Sequence, residues 1–213
     1  MMSELETRER LLEVALDLIW QSNYNAVGVN EICKQAGVSK GAFYHHFKSK
    51  ASLFCEATHY YWQVIKQDLD SLFSPLHTPV EQLENLIHFL LTAKLGDKSD
   101  DAVHGCPFFN AGAQIGTDNQ EVQTALRMMS ESAIKYNLAL VKGLQAGNYL
   151  TDDQEPEQLS RLIYQYIHGV MSFSQLCDDI DHARQDLAQG LYRLLGLKRD
   201  LWFVTQPTWQ AKD

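Results

Sequence analysis

The stretch of sequence from Gly28 to Lys50 reads GVNEICKQAGVSKGAFYHHFKSK. Its first part has apolar residues at helical spacing, which predicts a short amphipathic helix over residues 29–36 that begins after Gly28. We expect Gly37 to end this helix, because glycine adopts the left-handed C-cap conformation without steric cost. The chain then turns sharply before the next helical signal.

A second short helix is predicted over residues 40–47, with Ser39 as its N-cap. Ser49 is expected to cap a long third helix over residues 49–73. Two short helices joined by a tight turn that contains glycine form a helix-turn-helix unit. Because the second helix of such a unit enters the major groove, this stretch predicts a DNA-reading element.

The charge of the same region favours a polyanionic partner. Between Ile32 and Cys55 there is no Asp or Glu, whereas the interval contains Lys34, Lys40, Lys48, Lys50, His45 and His46. Residues 1–50 are neutral overall, with six Lys or Arg and six Asp or Glu, so the net charge of −9 comes from residues 51–213. Attraction to phosphate depends on the contacting face, so this distribution is compatible with DNA binding.

The remaining composition excludes several classes of protein. No run of about 18 apolar residues predicts a membrane span, and the N-terminus lacks an apolar signal region. The four scattered cysteines and eight histidines show no metal-ligand spacing, so we expect no metal, no cofactor and reduced thiols in a cytoplasmic protein. The usual nucleophile, phosphate-loop and dinucleotide motifs are missing, so we do not expect an enzyme.

Helical periodicity continues along the whole chain, which predicts an all-α fold. The first helix is expected over residues 7–22 with Thr7 as its cap, and Asp118 with Glu121 forms a variant capping box for a long helix that Gly147 ends. Further helices are predicted over residues 79–95, 156–177 and 181–195. We therefore expect a helix-turn-helix domain over residues 1–50 and a larger helical domain over residues 51–213.

The residues of the predicted turn and reading helix resemble a known family. The residues that carry the resemblance are Ile32, Ala36, Gly37, Val38, Ser39, Lys40, Gly41, Phe43, Tyr44, His45, His46, Phe47, Ser49, Lys50 and Leu53. This pattern is similar to the DNA-binding domain of TetR-type transcriptional repressors, over roughly residues 7–54. The resemblance implies a homodimer that binds palindromic double-stranded operator DNA and is released by a small-molecule effector.

Specific residues are expected to contact DNA. Lys40 can reach a guanine or a phosphate, and the small residues that follow it allow close approach to the bases. In the family, the aromatic-histidine cluster and the two following lysines contact the phosphate backbone. The predicted DNA contacts are Val29, Asn30, Ser39, Lys40, Gly41, Ala42, Tyr44, His45, Lys48 and Lys50.

A dimer is expected on physical grounds, because a two-turn helix reads too few base pairs to define one genomic address. The last two helices are predicted to form an antiparallel pair that makes a four-helix interface with a second copy. Gly169 and Gly190 would permit close approach. The predicted interface residues are Ile163, Tyr166, Val170, Phe173, Leu187, Leu191 and Leu194.

The larger domain is expected to bind the effector between its helices, where aromatic and polar residues occur in apolar stretches. The candidates are Trp62, His88, Phe89, Cys106, Phe108, Phe109, Asn110, Tyr136 and Tyr164; plain core packing is the alternative. Cys106 lies between Gly105 and Pro107, as in family members that respond to electrophiles or oxidants, but a structural role is also open. A helical adaptor that does not bind DNA is a further alternative, although it would not need the acid-free interval.

Overall fold

The computed structural model of the protein describes residues 4–21, 26–94, 106, 108–109, 119–152, 154–177 and 180–203. We number the helices α1 (Glu4–Trp20), α2 (Val29–Ala36), α3 (Lys40–His46), α4 (Lys50–Leu72), α5 (Pro79–Phe89), α6 (Gln120–Ala146), α7 (Pro156–Cys177) and α8 (Ile180–Leu195). Among these residues the only β-type pairing is an isolated bridge between Leu150 and Leu197. The all-α prediction is confirmed.

The chain divides into two compact units. The first comprises Met1–Lys66 and Pro107–Ser130, and the second comprises Gln67–Cys106 and Glu131–Asp213. The division falls within α4, because this helix extends from Lys50 to Leu72. The domain boundary expected after residue 50 stays a prediction, since compact packing alone does not define a functional domain.

The turn between α2 and α3 forms as the local signals predict. Gly37 has φ +65°, the left-handed backbone conformation of a helix C-cap. The Val38 amide donates a hydrogen bond to the Cys33 carbonyl at 2.9 Å, which completes the C-cap of α2. α2 spans the predicted residues, and α3 ends one residue before the predicted Phe47. Ser49 accepts a hydrogen bond from the Ser52 amide at 3.0 Å, so the predicted cap of α4 is also present.

One predicted helix start needs correction, and a second falls partly outside the described residues. Thr7 was expected to cap the first helix, but α1 already includes Glu4, so Thr7 lies inside it. Asp118 lies outside the described residues. In the structure Asn119 caps α6, since its side chain accepts hydrogen bonds from the Glu121 and Val122 amides, both at 3.1 Å. Asparagine is as favourable at this position as aspartate.

The first unit packs α1, α2, α3 and the start of α4 around a common core. The fully buried side chains that these four helices contribute are Leu11, Ala15, Ile32, Ala36, Phe43, Leu53, Phe54 and Ala57. Arg8 on α1 pairs with Glu56 on α4, and its guanidinium lies 5.8 Å from the centre of the Phe47 ring. Arg8 therefore joins α1 to α4.

The core of the second unit is formed by α5, α6, α7, α8 and the segment after α8. α5 starts with a capping box between Thr78 and Glu81, and a π-helical turn over Leu90–Lys94 continues it, within the single helix predicted for residues 79–95. Gly196 ends α8 with φ +64°. No described helix is long and apolar enough to cross a membrane.

The segment after α8 is part of this core, although its sequence shows no clear period. Trp202 and Phe203 are buried, and their rings lie 5.1 and 5.3 Å from the fully buried Tyr192 ring. The Trp202 indole N–H donates to the Leu197 carbonyl at 2.9 Å. This segment therefore packs into the core of the second unit.

Candidate nucleic-acid interface

α3 is held in place from both its start and its inner face. The Ser39 Oγ accepts a hydrogen bond from the Ala42 amide at 3.1 Å, which satisfies one of the unpaired donors of the first turn. Phe43 is completely buried beneath the helix, and the Tyr44 ring lies against it edge to face, with centroids 5.2 Å apart. Phe43 thus fixes the inner side of α3, whereas Tyr44 packs on it from the exposed side.

The outward side of α3 and the residues that flank it carry most of the predicted DNA contacts. Ser39, Lys40, Gly41, Tyr44, His45 and Lys48 are exposed, and Tyr44 is 56% exposed despite its size. Among the described residues no carboxylate lies within ion-pair distance of Lys40 or Lys48. Since both lysine side chains face solvent, the surface of α3 and of the turn after it has the composition of a phosphate-binding face.

The start of α2 offers a different kind of contact. Gly28 occupies the N-cap position and makes no side-chain hydrogen bond to the amides of the first turn. Asn30 is exposed and Val29 is half-buried. Backbone amides at a helix start can bind a phosphate oxygen, as predicted for these two residues.

Ala42 and Lys50 are less accessible than the other predicted contacts. Both are half-buried, and partial burial lowers the pKa of the Lys50 ammonium from its ordinary value of 10.5. Lys50 is the first residue of α4, so it lies at the junction between the helix-turn-helix unit of α2 and α3, here called the reading head, and the long helix α4. The DNA roles of all ten residues remain predictions.

The predicted effector-binding residues do not all lie in one compact unit. Trp62, Phe108 and Phe109 belong to the first unit, whereas His88, Phe89, Cys106, Tyr136 and Tyr164 belong to the second. Asn110 lies outside the described residues. Each group is therefore described within its own unit.

Phe108 is a core residue of the first unit. It is completely buried, stacks on Tyr61 at 4.8 Å between ring centroids, and lies 5.8 Å from Phe54. The core-packing alternative thus accounts for Phe108, because its ring is already covered by aromatic neighbours. Phe109, the next residue, is 41% exposed and half-buried Trp62 also keeps some accessible surface.

In the second unit, the Tyr136 hydroxyl and the His88 imidazole are the polar groups among the predicted effector-binding residues that the structure describes in most detail. The Tyr136 hydroxyl donates a hydrogen bond to Asp70 at 2.5 Å, and burial followed by the Asp70 carboxylate raises the pKa of Tyr136 to about 12. The buried Nδ1 of His88 has no hydrogen-bond partner among the described residues. Tyr164 packs on His168 with ring centroids 4.2 Å apart, and Phe89 borders the core.

Burial sorts the predicted dimer-interface residues into two groups. Ile163, Leu187 and Leu191 are completely buried in the core of their own chain, so we remove these three from the predicted interface. Side chains already covered within one copy have no surface left for a partner. Tyr166, Val170 and Leu194 are half-buried at the edge of the core, and Phe173 is 66% exposed.

Comparison with known proteins agrees with this geometry. The family model described as bacterial regulatory proteins, tetR family, matches residues 11–57, which contain α2, α3 and most of α1. The transcriptional regulator AcuR of Cereibacter sphaeroides is 28% identical over 156 residues, which are 73% of this chain and 70% of AcuR. The chain is similar to the TetR family of transcriptional regulators.

Further regulators extend the similarity beyond the reading head. The regulator AcrR of Shigella flexneri is 29% identical over 176 residues, which are 78% of this chain and 77% of AcrR. The crystal structure of the regulatory protein TetR from Rhodobacter sphaeroides has a TM-score of 0.72 and 25% identity, covering 88% of this chain and 96% of that one. These relatives are named as regulators, and none of the names denotes an enzyme.

Proposed function

We propose that this protein is a TetR-family regulator that binds palindromic operator DNA as a homodimer, represses transcription there, and is released by a small-molecule effector. The observation that carries the proposal is the surface formed by α3 and the turn after it, where Lys40, Tyr44 and Lys48 are exposed above the buried Phe43. Positive side chains without nearby carboxylates attract phosphate, and a helix positioned by a cap and a core can be inserted as a rigid unit.

Two copies are needed because α3 spans only Lys40–His46 and can contact few bases. Each good bidentate base contact adds about 1–3 kcal/mol of discrimination, which is too little for one copy to find a single site. The half-sites of a helix-turn-helix dimer lie about 34–36 Å apart, so the two heads must be held at that separation.

The effector would act through this separation. α4 begins at Lys50 beside the reading head and continues to Leu72, and Asp70 near its end is hydrogen-bonded to Tyr136 on α6. His88, whose buried Nδ1 lacks a described partner, is our candidate polar contact for the effector. An effector releases DNA only if it binds more tightly to the conformation whose heads are wrongly spaced.

DNA binding can be tested by fluorescence anisotropy on a labelled duplex from the promoter of its own gene, titrated at several salt concentrations. We expect Lys40→Ala to weaken binding and to lower the slope of log affinity against log salt by about 1 if the lysine contacts phosphate. Lys142→Ala is the matched control, because Lys142 is paired with Glu157 at 3.0 Å in the other compact unit. A flat salt response of the unaltered protein would instead favour the adaptor.

A second class of effector is an electrophile or oxidant that acts on Cys106. This residue takes part in no disulfide and is half-buried, so part of its surface is accessible. Cys33 and Cys55 are poor competitors, because burial raises the pKa of both thiols, that of Cys55 to about 11. In a Cys177→Ser background, which removes the exposed thiol, N-ethylmaleimide should abolish operator binding only when Cys106 is present.

A further inference from the structure

A buried aromatic ring from the middle of the chain packs against the long helix α4. Phe108 stacks on Tyr61 with ring centroids 4.8 Å apart, and its centroid lies 5.8 Å from that of Phe54. Phe54 and Tyr61 are seven positions apart, so both side chains lie on one face of α4. Seven residues of helix span about 10.5 Å, close to the two centroid distances combined. The Phe108 ring therefore fills the gap between Phe54 and Tyr61.

The face of α4 that contacts Phe108 also supports the reading head. Phe54 is fully buried in the core that α4 shares with α1, α2 and α3. Tyr61 contacts Trp20 at the end of α1 edge to face, with ring centroids 5.8 Å apart. Since α1 packs against both α2 and α3, a displacement of these rings is transmitted to α3.

A second position in the same part of the chain also lies beside α4. Burial, followed by the carboxylate of Glu121 in the first turn of α6, raises the pKa of Cys55 to about 11. Cys55 directly follows Phe54 on α4. Residues 107–130 belong to the same compact unit as the reading head. Two separate positions of this stretch, 108 and 121, thus lie beside the first half of α4.

The chain passes from one compact unit to the other immediately before Phe108. Residues 67–106 belong to the second unit, whereas Phe108 belongs to the first. Phe108 is thus a core residue of the unit that contains the reading head, and two residues before it the chain belongs to the other unit. A backbone shift at residue 106 would move a ring in a close-packed core, and such cores adopt discrete arrangements instead of deforming continuously.

We propose that Phe108 is a positioning residue for operator binding, because its ring holds the first half of α4, and through it α3, in the orientation that fits DNA. The inference rests on the operator binding proposed above and names a side chain through which a change at residue 106 alters DNA affinity. Phe108 is completely buried and does not contact DNA itself. It should therefore affect the fit to an operator and leave the charged surface of α3 unchanged.

Fluorescence anisotropy of the full chain on two duplexes tests this role. One duplex contains the site mapped in its own promoter, and the other has the same length and a scrambled sequence. Phe108→Leu leaves part of the gap between Phe54 and Tyr61 empty, so operator affinity should fall by about 5-fold or more, as in typical couplings between distant sites. Affinity for the scrambled duplex should stay within about 2-fold, because non-specific binding depends on charge.

Phe203→Leu is the matched control. It makes the same substitution at a buried ring in the core of the second unit, where Phe203 lies beside Tyr192 with ring centroids 5.3 Å apart. Both affinities should remain those of the unaltered protein. Far-UV circular dichroism and urea denaturation measure the helix content and stability of each variant.

Two further variants test the stacked pair itself. Tyr61→Leu removes the other ring of the stack at a half-buried position, and it should also lower operator affinity selectively. Phe108→Met restores much of the lost volume with a side chain that adapts to irregular gaps, so it should recover most of the operator affinity.

The outcomes separate this inference from the proposed function. Equal affinity of the unaltered protein for the two duplexes would refute operator binding itself. If the unaltered protein prefers the operator and Phe108→Leu binds both duplexes normally, Phe108 is an ordinary core residue and the inference is wrong. The inference is also wrong if Phe108→Leu and Tyr61→Leu lose affinity for both duplexes equally, because the rings then support only the folding of the first unit.

Discussion

The phenolic oxygen of Tyr166 donates a hydrogen bond to the main-chain carbonyl oxygen of Asp186, at a distance of 2.6 Å. This bond crosses from α7 to α8 directly over Gly190, where an added Cβ would lie 1.8 Å from the same phenolic oxygen. Gly190 therefore allows the two helices of one copy to approach, whereas Gly169 has open space beside it. Although both glycines lie inside predicted helices, Gly190 packs against α7 of its own chain, whereas Gly169 faces solvent.

Gly190→Ala should lower the free energy of unfolding by about 1–3 kcal/mol, because the new methyl group displaces the Tyr166 ring and breaks its hydrogen bond. This loss should appear although alanine improves helix propensity by about 1 kcal/mol. Urea denaturation at fixed protein concentration measures the change. In a Tyr166→Leu background, Gly190→Ala should cost much less stability, because the ring that the new methyl group would displace is missing. Equal losses with and without Tyr166→Leu would refute the proposed clash between the methyl group and the Tyr166 ring.

Ser39→Ala should destabilise the reading helix by about 0.5–2 kcal/mol, since the Ala42 amide loses its side-chain acceptor. Operator affinity should fall as well, because α3 is then held less firmly. Ser39→Thr keeps a hydroxyl acceptor and should bind almost normally. Anisotropy titrations of both variants on one duplex provide the comparison, and equal affinities would show that the cap does not support DNA binding.

Acid should destabilise the protein through His168. Burial lowers the pKa of this imidazole from 6.5 to about 4, so the unfolded chain takes up a proton in a range where the folded chain does not. Stability is therefore complete above pH 6.5 and is lost as the pH falls toward 4, by up to about 3 kcal/mol. His168→Gln should reduce the dependence of the urea unfolding midpoint on pH between pH 6.5 and 4.5. If this dependence is unchanged in the variant, another group causes the loss of stability in acid.

Trp202→Ala should lower the free energy of unfolding by about 3–5 kcal/mol, the usual cost of removing a buried tryptophan. The indole is packed on Tyr192, and the Arg199 guanidinium lies 3.8 Å from the ring centre. Trp202→Phe should cost less because much of the apolar surface remains. Thermal unfolding of the two variants checks the order, and a loss within about 0.5 kcal/mol for Trp202→Ala would mean that this segment is not part of the core.

Local features of the fold were predictable from the sequence because they depend on neighbouring residues. The limits of α2, the cap at Ser39 and the left-handed Gly37 all follow from side chains within a few positions. Contacts between distant positions were not predictable in this way. Arg8 and Glu56 are 48 positions apart, and nothing in their local sequence indicates that they pair.

Helical periodicity identified apolar faces but did not show what covers them. Ile163 and Leu187 share the pattern of an interface residue, yet both are fully buried within their own chain. Phe173 has the same apolar character and is largely exposed. The amphipathic pattern is identical in both cases, because a helix buries an apolar face equally well against its own chain or a second copy.

The spacing of the half-sites tests most directly whether two copies bind one palindrome at a fixed separation. Once the protected site in its own promoter is mapped, affinity is compared between this duplex and one with five extra base pairs between the half-sites. Five base pairs rotate one half-site by about half a helical turn. The account predicts that affinity falls to the non-specific level, about 10³-fold or more weaker. Equal affinity for both duplexes would contradict it.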